Sequence, residues 1–329
     1  VDVGRLRHAV DALLAETESL RTVVRDQDGE PRPVIIPPRP VHVPLIDLRD
    51  APDPSAALDA WLGDRAPLPF CLDRLLIEFF LARLAEDRHV VVIRQHHLIT
   101  DAESHALLWR RLTELYGGTA GEALLPMSVH RSAERAYRES DLAERDARWW
   151  VRQREEAPAP PTFYGVQPRA RSGLLRRVEL RLDEARSAKL DAACARGPFA
   201  MPSRDMSRHV LYATTLYAYL WRVTGERRLA LGCPLANRRS RRVRRVVGMV
   251  MEQSPMLAEV RHDDSFVSLS GRVREALKDL LRHGRACVSN PSHAKLYDAV
   301  LNVHRVSYAP LDGAPVRGSI APALTWAKR

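Results

Sequence analysis

Two adjacent histidines, His96 and His97, and an aspartate four residues later, Asp101, close the segment HVVVIRQHHLITD. An imidazole with its ordinary pKa of about 6.5 exchanges protons at neutral pH, so a histidine at a strand end suits a base or a hydrogen-bond acceptor. The apolar run before it reads as a strand. Neighbouring strand side chains face opposite ways, so His96 and His97 cannot both enter one cavity. Asp101 falls at the turn into a helical pattern over 102–116, whose first amide hydrogens suit a developing oxyanion. The same residues admit a quieter reading. Asp101 is a good N-cap, Thr100 with Glu103 fits a capping box, and a histidine ending an apolar strand is often a hydrogen-bonded core residue. A metal site has little support, because HExxH spacing is missing and no cysteine lies near.

The elements that must position this turn alternate between helical and strand periods, which points to an α/β or α+β protein. Val3, Leu6, Val10, Leu13 and Leu14 have helical spacing. TVVRDQ and PVII read as a strand pair joined by Asp28-Gly29, a turn that tolerates positive φ. LIEFFLARL and HVVVIRQHH read as two further strands with Asp87 and Arg88 at their turn. A single polar helix is predicted through SAERAYRESDLAERDARWWVRQREE, with Trp149 and Trp150 as apolar anchors near its end. The proline-rich stretch APAPPTFYGVQP is the best linker, which divides the chain into two lobes of similar make-up, residues 1–158 and 159–329. Beyond it come a strand (LLRRVELRL), two helices, a strand RLALGCP, a strand QSPMLAEV, a helix SFVSLSGRVREALKDLLRH and a strand YDAVLNVHRVSY.

Composition narrows the field. The 329 residues are 45% hydrophobic, which argues against wholesale disorder. No stretch approaches the roughly 18 apolar residues of a membrane helix, and the amphipathic, acid-bearing N-terminal segment is unlike a signal peptide. The four cysteines, Cys71, Cys194, Cys233 and Cys287, are far apart. They read as reduced thiols of a cytoplasmic protein. The net charge of +10 admits nucleic acid, an anionic cofactor or an acidic protein, or simply solvated arginine-rich faces. The run ANRRSRRVRR, Arg238 to Arg245, is the densest feature. Nucleic-acid recognition usually adds interleaved aromatics or a reading helix, and neither is seen, so a solvated loop with Arg238 turned inward is the preferred reading.

HHLITDA resembles the HHxxxDG signature of the condensation domains of nonribosomal peptide synthesis, within the chloramphenicol-acetyltransferase-like acyltransferases. Other segments follow in the family's order: LRTVVRDQDGEPRPVI and PLPFCLDRLLIEFFLARLAEDRHVVVIRQHH before the motif, then ARWWVRQREEAP, RVTGERRLALGCPLANR, VVGMVMEQSP, DDSFVSLSGRVREAL and YDAVLNVHRVSY. The likeness thus covers nearly the whole chain. It implies an α/β fold of two similar lobes in a V, with a tunnel between them. Donor and acceptor would arrive on the phosphopantetheine arms of peptidyl carrier proteins, beside neighbouring synthetase domains, with no bound cofactor or metal, no nucleic acid and no membrane.

By the same resemblance His97 deprotonates or orients the acceptor amine, and His96 faces away to support the strand. Asp101 pairs with an arginine of the second lobe, for which Arg238 is the matching position. Read from the residues themselves, the Ala102 amide suits the oxyanion. Met249 alternates with polar residues and suits an apolar pocket or, more readily, the core. Glu252 suits a substrate ammonium or, equally, a salt bridge to the nearby arginines. Ser254 and His304 complete the substrate-facing candidates. Two departures stand out. Ala102 replaces the family's glycine and narrows the approach of substrate, and His304 with Arg305 stands where a pair of amides is usual. The chain also begins after the family's usual first strand and stops before its final stretch, so a trimmed or partial domain is expected. PLANRRSRR lacks the element of epimerisation domains, His96 argues against heterocyclisation, and the intact His97 argues against a silent recruitment domain. Amide formation is the expected reaction; ester formation, acyl-CoA-dependent transfer or a silent docking role are the alternatives.

Overall fold

The computed structural model describes residues 1–158, 178–287, 296–304 and 307–318. Helix α1 (Val3–Glu16) starts at Asp2, whose carboxylate accepts the Arg5 amide at 2.7 Å, and its stripe Leu6, Val10, Leu13 and Leu14 is buried. Strands β1 (Thr22–Gln27) and β2 (Glu30–Ile35) form an antiparallel hairpin. The two turn residues, Asp28 and Gly29, take φ of 58° and 82°, the left-handed pair that a two-residue hairpin demands.

Next come β3 (Leu45–Asp47), α2 (Pro54–Arg65), β4 (Ile77–Arg83) and β5 (His89–Gln95). They build a three-stranded sheet in the order β3-β4-β5, parallel at the first pair and antiparallel at the second. The middle strand is apolar on both faces. Ile77, Phe79 and Leu81 join the core with α1 and α3 (Ala102–Tyr116), whereas Ala82 meets Leu58, Trp61 and Leu62 of α2. A strand covered on both sides cannot slip by one residue without exposing one of these sets. The register of β5, and with it the position of the histidine turn, is thereby fixed.

Two helices follow, α4 (Met127–Arg138) and α5 (Asp141–Glu155), in place of the single helix the sequence predicts. The break is local chemistry. Ser140 turns extended, with φ −104° and ψ 153°, and its hydroxyl donates to the Tyr137 carbonyl at 2.6 Å. Such side-chain bonding competes with helical continuation. Trp150 is buried, with its indole N–H on the His283 carbonyl at 2.9 Å, and Trp149 stacks on the His283 ring at 4.8 Å.

Helices α6 (Glu184–Cys194), α7 (Arg204–Thr224) and α8 (Phe266–His283) flank the antiparallel pair β6 (Arg228–Leu235) and β7 (Glu252–Glu259). Tyr217, Leu220, Leu229, Leu231, Met256, Val273 and Leu277 fill the second large core. Burying a side chain of this size contributes about 1.5–3 kcal/mol. The outer edge of β6 is paired at one point by 299–301, through Gly232 N–H to the Ala299 carbonyl and Leu301 N–H to the Gly232 carbonyl, both 2.9 Å. A Cβ on Gly232 would stand 2.4 Å from the Tyr297 ring, so only glycine fits there.

Two predicted strands are not seen among the described residues. Of LLRRVELRL, residues 174–177 lie outside the described residues, and 178–182 have no strand partner among them, leaving Val178 and Leu180 89% and 83% exposed. In YDAVLNVHRVSY the ladder is reduced to the Gly232–Val300 bridge, with Arg305 and Val306 outside the described residues. Most of the proline-rich linker, 159–168, also lies outside them. Further on, Leu311, Tyr308 and Val316 pack into the first core, and the Trp109 indole N–H donates to the Ala309 carbonyl at 2.9 Å. Among the described residues no helix is long and apolar enough to cross a membrane.

Candidate active site

Strand β5 ends at Gln95, and the chain reaches α3 through six residues. His96 is half-buried: its ring is edge-on to Phe70 at 5.9 Å, and Nδ1 accepts the Leu98 amide at 3.1 Å. Burial, followed by the charges of His97 and Arg94, holds its pKa below the ordinary histidine value, so the neutral ring is favoured. His97 begins the turn and is exposed, followed by exposed Leu98; Ile99 and Thr100 turn back into the core.

Asp101 is 3% exposed and does two jobs at once. As the N-cap of α3 it accepts the Ser104 amide at 2.8 Å, so the cap is Asp101 and not Thr100. It also receives both arms of Arg238, Nη1 on Oδ2 at 2.8 Å and Nη2 on Oδ1 at 2.9 Å. The amides of Val250 and Met251 donate to Oδ2 at 3.0 Å each. Burial alone would raise this carboxyl. Arg238, through hydrogen bonds and charge, and the amides overcome that, so its pKa lies below the usual carboxylate range.

The sequence places Arg238 by a turn. Asn237 adopts φ of 51°, a conformation asparagine tolerates better than most residues, and aims the next side chain inward. The segment beyond it wraps the aspartate: Val243, Val246 and Val250 anchor it against Met127, Val129 and Ala133 of α4. Ser104, missed by the sequence reading, is the hub between the two chain segments. Its hydroxyl donates to the Gly248 carbonyl at 2.8 Å and receives the Gly248 amide at 3.0 Å and Arg238 Nη2 at 2.9 Å. A signal existed. Ser104, Leu108 and Leu112 are four apart on the buried stripe of α3, and a hydroxyl there needs a partner.

The remaining candidates scatter. Ala102 is the first residue of α3 and is exposed. Met249 is exposed, and Glu252 is half-buried at the start of β7. These two flank the pair of amides that hold Asp101. Ser254 is fully buried directly opposite Cys233, and its Oγ has no hydrogen-bond partner among the described residues. His304 is exposed beyond the Val300 bridge. Close to the motif, the structure also joins Gln95 Nε2 and His105 Nδ1 at 3.3 Å, with Tyr308 edge-on to His105.

Chemically the site is an exposed imidazole beside a helix N-terminus, held on a buried aspartate–arginine frame. Such an arrangement can take a proton from a nucleophile and offer amide hydrogens to an oxyanion.

A family profile described as condensation domain matches residues 1–287. Among curated proteins, malpibaldin synthetase of Mortierella alpina is 26% identical over 289 residues, covering 84% of this chain and 5% of that protein. Isonitrile lipopeptide synthase of Streptomyces coeruleorubidus is 29% identical over 296 residues, covering 87% and 19% respectively. The chain therefore spans a small part of the curated relatives it matches. The solved first condensation domain of the calcium-dependent antibiotic synthetase, in complex with a substrate analogue, superposes with a TM-score of 0.77 at 26% identity. The match covers 95% of this chain and 75% of that one. The fold is of the chloramphenicol-acetyltransferase-like kind.

Proposed function

Since this chain belongs to the condensation-domain family, we propose that it joins a thioester-bound acyl group to an acceptor amine, forming an amide during nonribosomal peptide synthesis. The observation that carries the reading is the exposed His97 standing on the rigid Asp101–Arg238 frame. The amine nitrogen attacks the thioester carbonyl carbon while His97 orients the amine or accepts its proton. The Ala102 amide stabilises the oxyanion; the C–S bond then breaks and the leaving thiolate takes up the proton from His97 to depart as a thiol. His96 keeps the turn in shape through the Leu98 amide.

Both substrates come on phosphopantetheine arms of donor and acceptor carrier proteins, and no tightly held cofactor takes part. We propose a division into lobes at 1–158 and 159–329; each large core draws mainly on one side of it, while Val247 and Leu311 join the first core and Trp150 joins the second. We assign Met249 and Glu252 to the substrate side, a reading supported by their position flanking the amides bound to Asp101, and His304 to the same cleft. Ser254 would contribute a hydroxyl only where substrate reaches its buried Oγ.

The test mixes carrier-loaded thioesters with amine and alcohol acceptors and reads products by mass spectrometry, for the wild type and His97→Ala. Amide formed by the wild type and reduced about 10²–10⁴-fold in the variant, with circular dichroism unchanged, is the expected result. Ester in place of amide would redirect the reading to an oxygen acceptor. Turnover of free acyl-CoA without a carrier would redirect it to a coenzyme A-dependent enzyme. Carrier binding without any product would make the domain a docking module.

A further inference from the structure

The turn that carries His97 is closed twice by the residue before it. The His96 carbonyl accepts the Ile99 amide at 3.2 Å, and His96 Nδ1 accepts the Leu98 amide at 3.1 Å. The His96 amide donates to the Leu76 carbonyl at 2.9 Å, which ties the turn to the chain entering β4. His97 is the first corner of this turn, so its direction follows from the state of the neighbouring ring. Nδ1 can accept an N–H only when it carries no proton, which places the ring proton on Nε2. A second proton would set two N–H groups against each other and open that closure.

A chain of contacts reaches the ring from β4. Phe70 stands edge-on to His96, with centroids 5.9 Å apart and planes at 84°. Arg94 lies over the Phe70 ring, its Cζ 4.0 Å from the centroid, an arrangement that a cation favours. Its Nη1 donates to Glu78 Oε2 at 2.9 Å, directly across the β4–β5 ladder. The other Glu78 oxygen takes Arg65 Nη2 at 3.3 Å. The Arg94 side chain is only 14% exposed, so its charge is screened less than that of a surface arginine. Burial first, then the charges of His97 and Arg94, oppose a second proton on His96. Those charges come from the turn and from β5; Phe70, on the segment before β4, is uncharged, and Glu78 of β4 is paired with Arg94 and Arg65.

We propose that Arg94 and Phe70 are positioning residues for His97: with Glu78 behind them, they lock the His96 ring as the acceptor of the Leu98 amide and so set the direction of the imidazole that meets substrate. This deepens the acyl-transfer reading and, for its effect on rate, rests on it.

The test follows the ring nitrogens of His96 by heteronuclear NMR in histidine-labelled protein, the His96 signals being identified by their loss in His96→Asn. The wild type should hold the Nε2–H tautomer and take its second proton below the ordinary histidine value of about 6.5. Arg94→Gln, and Phe70→Leu, which keeps an apolar side chain, should take that proton at higher pH than the wild type. Arg65→Gln removes the other partner of Glu78 and should titrate as the wild type does. An Nδ1–H tautomer in the wild type, an unchanged titration in either variant, or an equal shift in Arg65→Gln would overturn the proposal. A second arm reads the rate with carrier-delivered thioester and an amine acceptor. Arg94→Gln should lose about tenfold in kcat with little change in KM, the scale of a misdirected reacting group. Neutral His96 supports the turn only above its pKa, so the acid limb of the variant should move to higher pH. In a His96→Asn background, where the asparagine oxygen can accept the Leu98 amide without titrating, Arg94→Gln should cost nothing further. An equal tenfold loss in that background, or a loss uniform across pH, would overturn the proposal. Should the wild type form no product, the acyl-transfer reading falls, and the ring nitrogens still decide whether Arg94 and Phe70 lock His96.

Discussion

Two buried aspartates each tie together segments 137 positions apart, Asp101 to Arg238 and Asp146 to His283. Their partners differ in kind. Asp101 is held by a permanently charged, buried guanidinium and by three backbone amides. Asp146 is held by side chains alone: the Tyr137 hydroxyl at 2.9 Å, His283 Nδ1 at 2.8 Å, and Arg145, which is half in solvent. Backbone amides fix a carboxylate to the geometry of the fold, whereas side chains can rotate away. The junction of α4, α5 and α8 therefore has room to adjust, and the turn beneath His97 does not. A group that must meet two incoming substrates benefits from the stiffer of the two supports.

Removing Arg238 should give the largest effect. Arg238→Ala leaves the Asp101 charge buried with amides only, and should cost about 3–5 kcal/mol in urea denaturation, the range for breaking one side of a buried pair. Asp146→Ala should cost less, about 1–3 kcal/mol, because Tyr137 and His283 lose a hydrogen-bond partner and Arg145 is free to turn to water. Equal losses at the two sites would erase the distinction between backbone-held and side-chain-held carboxylates.

Acid should expose the same frame. Burial opposes and Arg238 more than restores the ionised state of Asp101, so its folded pKa lies below the unfolded value of about 3.9. In the window between those two values the unfolded chain binds the extra proton. Stability from this group is thus fully present above about pH 4 and is lost as pH falls through the folded pKa. Asp146 contributes in the same direction, burial being outweighed by Arg145, His283 and Tyr137. Urea midpoints of Asp101→Asn followed from pH 5 downward should fall less steeply than those of the wild type. Parallel curves would remove Asp101 from the acid limb.

Local features of this architecture were legible in the sequence, and distant ones were not. The stripe of α1, the Asp28-Gly29 turn and the passage from β5 into α3 are each written within a dozen residues, by periodicity or by turn chemistry. No local signal links Asp101 with Arg238; only likeness to a family put them side by side. The Asp146–His283 junction had no such help and went unread. The break at Ser140 was hidden because a serine hydroxyl bonding back to a carbonyl leaves helical composition on both sides intact. Strand pairing at VELRL failed for a different reason: alternation gives a strand its faces but not a neighbour.

His97 should give the smallest effect on stability, and that is the sharpest use of the comparison. The side chain is exposed at the start of a turn whose shape is kept by His96, through the Leu98 amide, and by the bonds of Asp101. His97→Ala should therefore shift folding stability by no more than about 0.5 kcal/mol, as surface substitutions usually do. A loss of about 2 kcal/mol or more would mean that the histidine is part of the frame, and any loss of product would then be a folding effect. An unchanged denaturation curve beside a lost product separates the reacting group from its support. It would also explain why so much hydrogen bonding is concentrated on the aspartate four residues away: a frame built there keeps the turn in place and leaves the imidazole to substrate.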